Sequence, residues 1–189
     1  MDQKFFARSE AALAEAERFL QELEQEQDLA RQAAAWANFL NHFKRSVVRL
    51  SDATNQTGTK NWSNAYQNEN KSDPLISYLI QAKNADEHGV HEVSKQELGH
   101  TAINLTGDTY IRNLVIDGDR IYGDGYGAPL AVTVVPPHLE LVNIENRGRV
   151  YRVPRFHRGK RLTELTPLTA GQTACAWMSK KLNEARQLE

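Results

Sequence analysis

A single cysteine, Cys175, is all the thiol chemistry available to this chain of 189 residues. An intramolecular disulfide and a cysteine-based zinc centre are therefore excluded. Long apolar runs are missing too: nothing approaches the roughly 18–20 apolar residues that cross a bilayer, and the mean hydropathy is −0.60. The opening "MDQKFFARSEAALAEAERFL" lacks the charged start, apolar middle and small-residue cleavage site of a secretory signal. The expected compartment is the cytoplasm, with no membrane partner. Excess charge is lacking as well, the net value being −1. Bulk charge thus does not announce a nucleic-acid partner, but its distribution is informative. Residues 10–28 carry seven acids against one base, Arg18, whereas "RGRVYRVPRFHRGKR", residues 147–161, carries seven bases and no acid.

What is present is helical periodicity followed by β-branched strands. Asp2 is a natural N-cap for a first helix whose Phe5, Ala12, Ala16, Phe19 and Leu23 recur at helical steps. A second helix, capped by Asp28, carries Leu29, Ala33, Trp36, Leu40, Phe43, Val47 and Leu50 at alternating steps of four and three. A stripe that long lies lengthwise on another helix, and the short link makes the two an antiparallel pair. The polar segment 51–72 reads as a long loop with about one helical turn near Trp62 and Tyr66. Asp73-Pro74 starts a third helix that runs to His88, with Gly89 as its terminator. Beyond Gly99, "VIDGDRIYG" predicts a hairpin around Asp117-Gly118, and "LAVTVV" and "HLELVNI" predict further strands. Ala174, Trp177, Met178, Leu182 and Ala185 predict a closing helix over 169–188, in which Cys175 is a small core residue. The expected class is α+β: a helical domain over 1–95, a small antiparallel β subdomain over 96–167 and a C-terminal helix over 168–189.

The densest ionisable cluster is "DEHGVHE", Asp86 to Glu92. His88 and His91 are spaced to share a metal if the helix continues, but Gly89 stands between them. Further ligands would have to come from His42, His100 or His157, and neither His-Glu-x-x-His nor a di-iron Glu-x-x-His is present. No metal or other cofactor is expected. A plain reading makes the cluster the solvated end of a helix. A third reading follows from the helical wheel: Ser77, Gln81, Asn84 and His88 step by four, three and four, and so share one stripe, with Lys83 beside it. Histidine, lysine and amide are the parts of a metal-free phosphodiester cleavage. Histidine moves the proton, lysine offsets charge on the phosphorane, and the amide orients either.

"KNADEH", Lys83 to His88, at the end of the last long helix of an all-α half, resembles the signature of the HEPN superfamily. The resemblance covers about residues 1–95. It implies a helical nucleotide-binding domain of a kind that includes metal-independent ribonucleases of toxin–antitoxin and phage-defence systems. It also implies a homodimer that pairs two such helices in one composite site. Asn84 and His88 match the motif, and Lys83 stands where the family has arginine, keeping the charge but losing the two-pronged donor. The expectation is therefore an RNA-binding or RNA-cleaving protein with Lys83, Asn84 and His88 as catalytic candidates. Arg147, Arg149, Arg152, Arg155, Arg158, Lys160 and Arg161, interleaved with Tyr151 and Phe156, are the nucleic-acid-binding candidates. Lys44, Arg45 and Arg49 would extend that basic surface if the fold brings them together. The alternative expectation is a non-catalytic module that binds a protein partner, with the histidine cluster as polar surface. "GDGYGAP", Gly123 to Pro129, follows a hairpin and has no Gly-Lys-Ser/Thr after it, so its glycines read as turn residues.

Overall fold

A computed structural model of the chain describes residues 1–87, 92–104, 109–117, 120–127 and 131–188. It is α+β, with helices first, then small strand pairs, then a closing helix. The helices are α1 (Gln3–Gln25), α2 (Leu29–Thr54), α3 (Lys60–Ser72), α4 (Pro74–Glu87) and α5 (Pro167–Arg186). The strands are β1 (Ser94–Glu97), β2 (His100–Asn104), β3 (Thr109–Asp117), β4 (Arg120–Gly127), β5 (Ala131–Val135), β6 (His138–Leu141), β7 (Ile144–Asn146), β8 (Arg149–Tyr151), β9 (Phe156–His157) and β10 (Lys160–Arg161).

Asp2 and Asp28 cap α1 and α2 by accepting backbone N–H groups, as their sequence positions predict. The two helices are antiparallel: the Asp2 N–H donates to the Ala53 carbonyl at 2.9 Å, and Ser9 meets Ser46. Each of these serines donates its hydroxyl to the other's carbonyl at 2.8 Å, so two buried polar groups satisfy each other where the helices press closest. Of the stripe expected on α2, Trp36, Leu40, Phe43 and Leu50 are fully enclosed, Leu29 and Ala33 are half-buried, and Phe39 is a further enclosed residue. Each enclosed side chain contributes about 1.5–3 kcal/mol by leaving water. On α1 the buried residues are Phe6, Ser9, Ala12, Leu13, Ala16, Leu20 and Leu23. Ala12, Ala16 and Leu23 of the expected stripe are thus core residues, while Phe6 and Leu20 take the places expected of Phe5 and Phe19. Phe5 and Phe19 are only half-buried.

Segment 51–72 corrects the loop reading. After a 3-10 turn at Thr57–Thr59, Lys60–Ser72 is a continuous helix. Its polar composition hides two apolar anchors one turn apart. Tyr66 stacks between Trp62 and Trp177, with centroids 5.2 and 5.8 Å away. Trp177 donates its indole N–H to Glu69 at 2.9 Å, and the buried Lys181 pairs with the same carboxylate at 2.6 Å. Tertiary packing therefore overrides weak local propensity.

The chain forms two compact units, Met1–Gln96 with Leu139–Glu189, and Glu97–His138. The β-rich stretch expected over 96–167 thus divides, because 139–166 packs with the helices: Leu139 and Ile144 are core residues, and the Tyr78 hydroxyl donates to the Val142 carbonyl at 2.7 Å. Within the first unit, β7 pairs antiparallel with β8, and β9 with β10. Each hairpin closes on a two-residue Arg-Gly turn with both φ angles positive, 52° and 73° at Arg147-Gly148, 49° and 75° at Arg158-Gly159. That is the mirror-image turn that matches strand twist. The second unit contains two nested antiparallel pairs, β2 with β5 and β3 with β4. Asp117 faces Arg120 across the second, so a hairpin lies in the expected region with Asp117 as the last residue of its strand, and Gly118 lies outside the described residues.

Asp73 joins helix and hairpin. Its carboxylate caps α4 by accepting the Leu75 and Ile76 N–H groups at 3.0 Å, and also takes His157 Nδ1 at 3.0 Å and the Arg158 N–H at 2.8 Å. Burial disfavours its charge, but the Ile76 and Arg158 N–H groups and His157 outweigh it and hold the carboxyl below the ordinary aspartate value. A carboxyl depressed on folding stabilises the fold above its unfolded pKa and loses that contribution as pH falls through the folded one. Asp73→Ala is expected to cost about 2–4 kcal/mol in urea unfolding at neutral pH, combining a lost cap with stranded donors. Asp73→Asn should flatten the fall in stability that the native chain shows below about pH 4. An unchanged acid profile in that variant would remove the carboxylate from this role.

Candidate nucleic-acid interface

α4 carries Ser77, Gln81 and Asn84 on one stripe, as the wheel predicts, and that stripe lines an open groove. One end is a hollow of about 600 Å³ walled by Gln81 and Asn84 of α4, Lys44 of α2, and Asn146, Arg147, Arg149 and Tyr151 of the β7–β8 hairpin. The other end, about 590 Å³, shares Gln81, Arg149 and Tyr151 and continues over Val47 and Val48 of α2, Asn70 and Lys71 of α3, and Ser77 and Ile80 of α4. The first end is polar and cationic, and the second has an aliphatic floor.

Gln81 holds the two walls together. Its Oε1 accepts from Asn84 Nδ2 at 3.1 Å on its own helix and from Asn146 Nδ2 at 2.8 Å on the hairpin. Asn146 is buried, so this bond satisfies an amide that would otherwise be stranded. The Arg147-Gly148 turn then projects Arg147 at the rim, and Arg149 lies over the Tyr151 ring with its guanidinium carbon 5.0 Å from the centroid. Among the described residues neither Arg147 nor Arg149 is ion-paired, and no carboxylate lines the cationic end. At the aliphatic end, Asn70 is buried and its Oδ1 has no hydrogen-bond partner among the described residues.

The structure separates the sequence candidates. Asn84 faces the groove. Lys83, a residue further round the helix, is buried and its Nζ pairs with Asp86 at 2.9 Å, so it does not line the groove. His88 lies outside the described residues, as does His91. Of the seven bases in 147–161, Arg147 and Arg149 reach the groove. Arg158 instead approaches Glu69 at 3.5 Å while its backbone is held by Asp73. Arg152, Arg155, Lys160 and Arg161 are exposed and line neither end. Lys44 joins Arg147 and Arg149, but Arg45 and Arg49 do not, because a helix turns about 100° per residue and carries them to another face. Trp62 and Tyr66 belong to the core stack rather than to a binding surface.

Asn146 is the groove residue that the sequence reading passed over, and Gln81, though placed on the stripe, was given no role of its own. The available signal was "NRGR", Asn146 to Arg149: Arg-Gly between strand-like flanks marks a two-residue turn and fixes which side chains share a face. Among the described residues no cluster of three histidine, cysteine or acidic side chains is arranged to hold a metal. His157 is engaged by Asp73, and His42 stacks against Phe19 at 5.4 Å. Burial, with a lesser push from Glu17, raises the Cys175 thiol to about 12, so it remains protonated at neutral pH. No helix among the described residues is long and apolar enough to cross a membrane. No family model, curated protein or solved structure matches the chain.

The Gln81 junction has a measurable consequence. Gln81→Met keeps the volume but strands the buried Asn146 amide, and is expected to cost about 1–3 kcal/mol in chemical unfolding. In an Asn146→Ala background the same substitution should cost distinctly less. Additive losses would mean that the amides do not couple.

Proposed function

We propose that the chain is an RNA-binding protein of HEPN-like type and that the groove between α4 and the β7–β8 hairpin is its binding face. The observation that carries this reading is the lining of one continuous groove. Lys44, Arg147 and Arg149 gather at one end with three carboxamides and no acid, and aliphatic side chains floor the other. Cations neutralise phosphates, carboxamides read base edges through paired donors and acceptors, and Tyr151 offers a ring for stacking. Single-stranded RNA suits such a groove better than a duplex, because unpaired bases can turn toward the protein while the backbone follows the positive rim.

Cleavage is the extension of this reading, and its charge-stabilising group differs from the one the motif suggests. Lys83 is engaged with Asp86, so the guanidiniums of Arg147 and Arg149 are the charge-stabilising groups for a phosphate beside Asn84. In that scheme His88, which lies outside the described residues, transfers the proton of the attacking 2′-hydroxyl or the leaving group without a metal.

Fluorescence anisotropy with a labelled single-stranded RNA tests the binding claim. Neutralising Lys44, Arg147 and Arg149 together to glutamine should weaken binding strongly and reduce the salt slope by about 2, on the single-strand scale of roughly 0.7 per phosphate contact. Neutralising Lys160 and Arg161, which line neither end of the groove, should do much less. Equal losses would reject the groove as the binding face. Incubating the RNA in EDTA with wild type and with His88→Ala tests the extension: cleavage lost only in the variant assigns the proton transfer, and intact RNA in both leaves a binding protein.

A further inference from the structure

A second cationic hollow, on the helical pair, plays no part in the groove. Arg8, Ala11, Ala12 and Glu15 of α1 face His42, Arg45 and Arg49 of α2 across a cleft of about 490 Å³. The spacing explains it. Steps of three or four put residues 8, 12 and 15 on one line of α1, and 42, 45 and 49 on one line of α2. Antiparallel packing brings the two lines together, with Glu15 near enough to His42 to act on its charge. Ala11 and Ala12 have no side chain long enough to fill the cleft, and Arg8, Arg45 and Arg49 line it.

The local partners leave much of this charge uncompensated. Glu15, the one carboxylate on the rim, pairs with Arg18 at 3.0 Å. Arg49 approaches Asp52 at 3.5 Å and lies over the Phe5 ring at 5.4 Å. Arg8 and Arg45 are exposed and have no ion-pair partner among the described residues. Elsewhere α1 carries more acids than bases, Glu10, Glu17, Glu22 and Glu24 against Lys4 and Arg18. Like charges around a shared hollow repel one another. An oxyanion seated among them removes that repulsion and gains charge-assisted hydrogen bonds, for which the planar guanidinium fork suits phosphate best.

We infer that this α1–α2 cleft is a binding site for a small phosphorylated ligand carrying two or more negative charges. Arg8, Arg45 and Arg49 grip the phosphates, and the space over Ala11 and Ala12 takes the organic part. The volume exceeds what one phosphate needs and falls within the range of small-molecule sites. The site is separate from the RNA groove, because Lys44 and Arg45 point from α2 in different directions and enter different hollows.

Isothermal titration of the full chain with pyrophosphate and with ATP, and with sulfate as the comparison anion, tests the assignment at physiological ionic strength. The expected result is saturable one-site binding of both phosphates that exceeds sulfate binding by about tenfold or more, the margin that forked, multiply charged contacts supply. Arg8→Gln with Arg45→Gln should weaken it by about tenfold or more, and Arg45→Lys should recover only part of the loss. Arg147→Gln with Arg149→Gln should leave it within about twofold, so failure of the RNA reading and failure of this one are distinguishable. Both substituted arginines are exposed, and an unchanged circular dichroism spectrum with an unchanged melting midpoint verifies that the variants fold. The inference is overturned by absence of saturable binding, by equal affinity for sulfate, or by equal losses in the two variant pairs. RNA affinity that falls in step with phosphate affinity in the Arg8/Arg45 variant would also overturn it, because the cleft would then be a second stretch of the nucleic-acid interface.

Discussion

The first unit depends on how α4 is held at two points. At its start, the Asp73 carboxylate serves four donors: two N–H groups of the helix it caps, an imidazole, and a backbone N–H of the second Arg-Gly turn. Two turns further on, Gln81 Oε1 accepts one amide from the helix and one from the first hairpin. The hairpins contain only two or three residues per strand, and isolated hairpins of that length have little stability of their own. They stay folded because α4 supplies the partners their polar groups need. The wall of the groove is therefore a product of side-chain hydrogen bonds rather than of sheet formation.

Helical geometry then sorts the charges. Lys44 and Arg45 are neighbours in sequence, yet one faces the hairpin and the other faces α1. The same rotation separates Lys83, which turns to Asp86, from Asn84, which turns to the groove. A cluster dense in one dimension is thus divided among surfaces in three. This is why the basic run of residues 147–161 yields two groove residues and one structural pair at Glu69, with the remainder exposed outside the groove.

Elements with strong local signals were legible. Caps at Asp2, Asp28 and Asp73, the apolar line of α2 and the pairing of β3 with β4 depend on interactions between near neighbours, which a sequence displays directly. The helix at 60–72 was not legible, because its stability comes from Trp62 and Tyr66 stacking toward Trp177 more than a hundred positions away. The packing of 139–166 onto the helices was hidden for the same reason: Ile144 looks like any strand residue until α4 covers it. For the candidate site, the wheel placed Ser77, Gln81 and Asn84 on one stripe, and that stripe does line the groove. What it could not supply was the opposite wall. Asn146 becomes important only through a hydrogen bond to a residue 65 positions earlier.

The arrangement bears on how a phosphate would be held. A lysine on the helix itself would move with α4 and present one point charge. Here the available cations include two arginines, Arg147 within a turn whose two central residues both sit in the left-handed region and Arg149 directly after it. That conformation is narrow, and Gly148 admits it at no steric cost, so the turn restricts where Arg147 and Arg149 can begin. Tyr151 restricts Arg149 further by lying under its guanidinium. Less freedom is then lost on binding, and forked donors with a limited approach discriminate the position of an oxyanion better than a flexible ammonium does. In the proposed reading, loss of the motif's arginine at position 83 need not remove guanidinium chemistry from the site, because the hairpin returns it from the opposite wall.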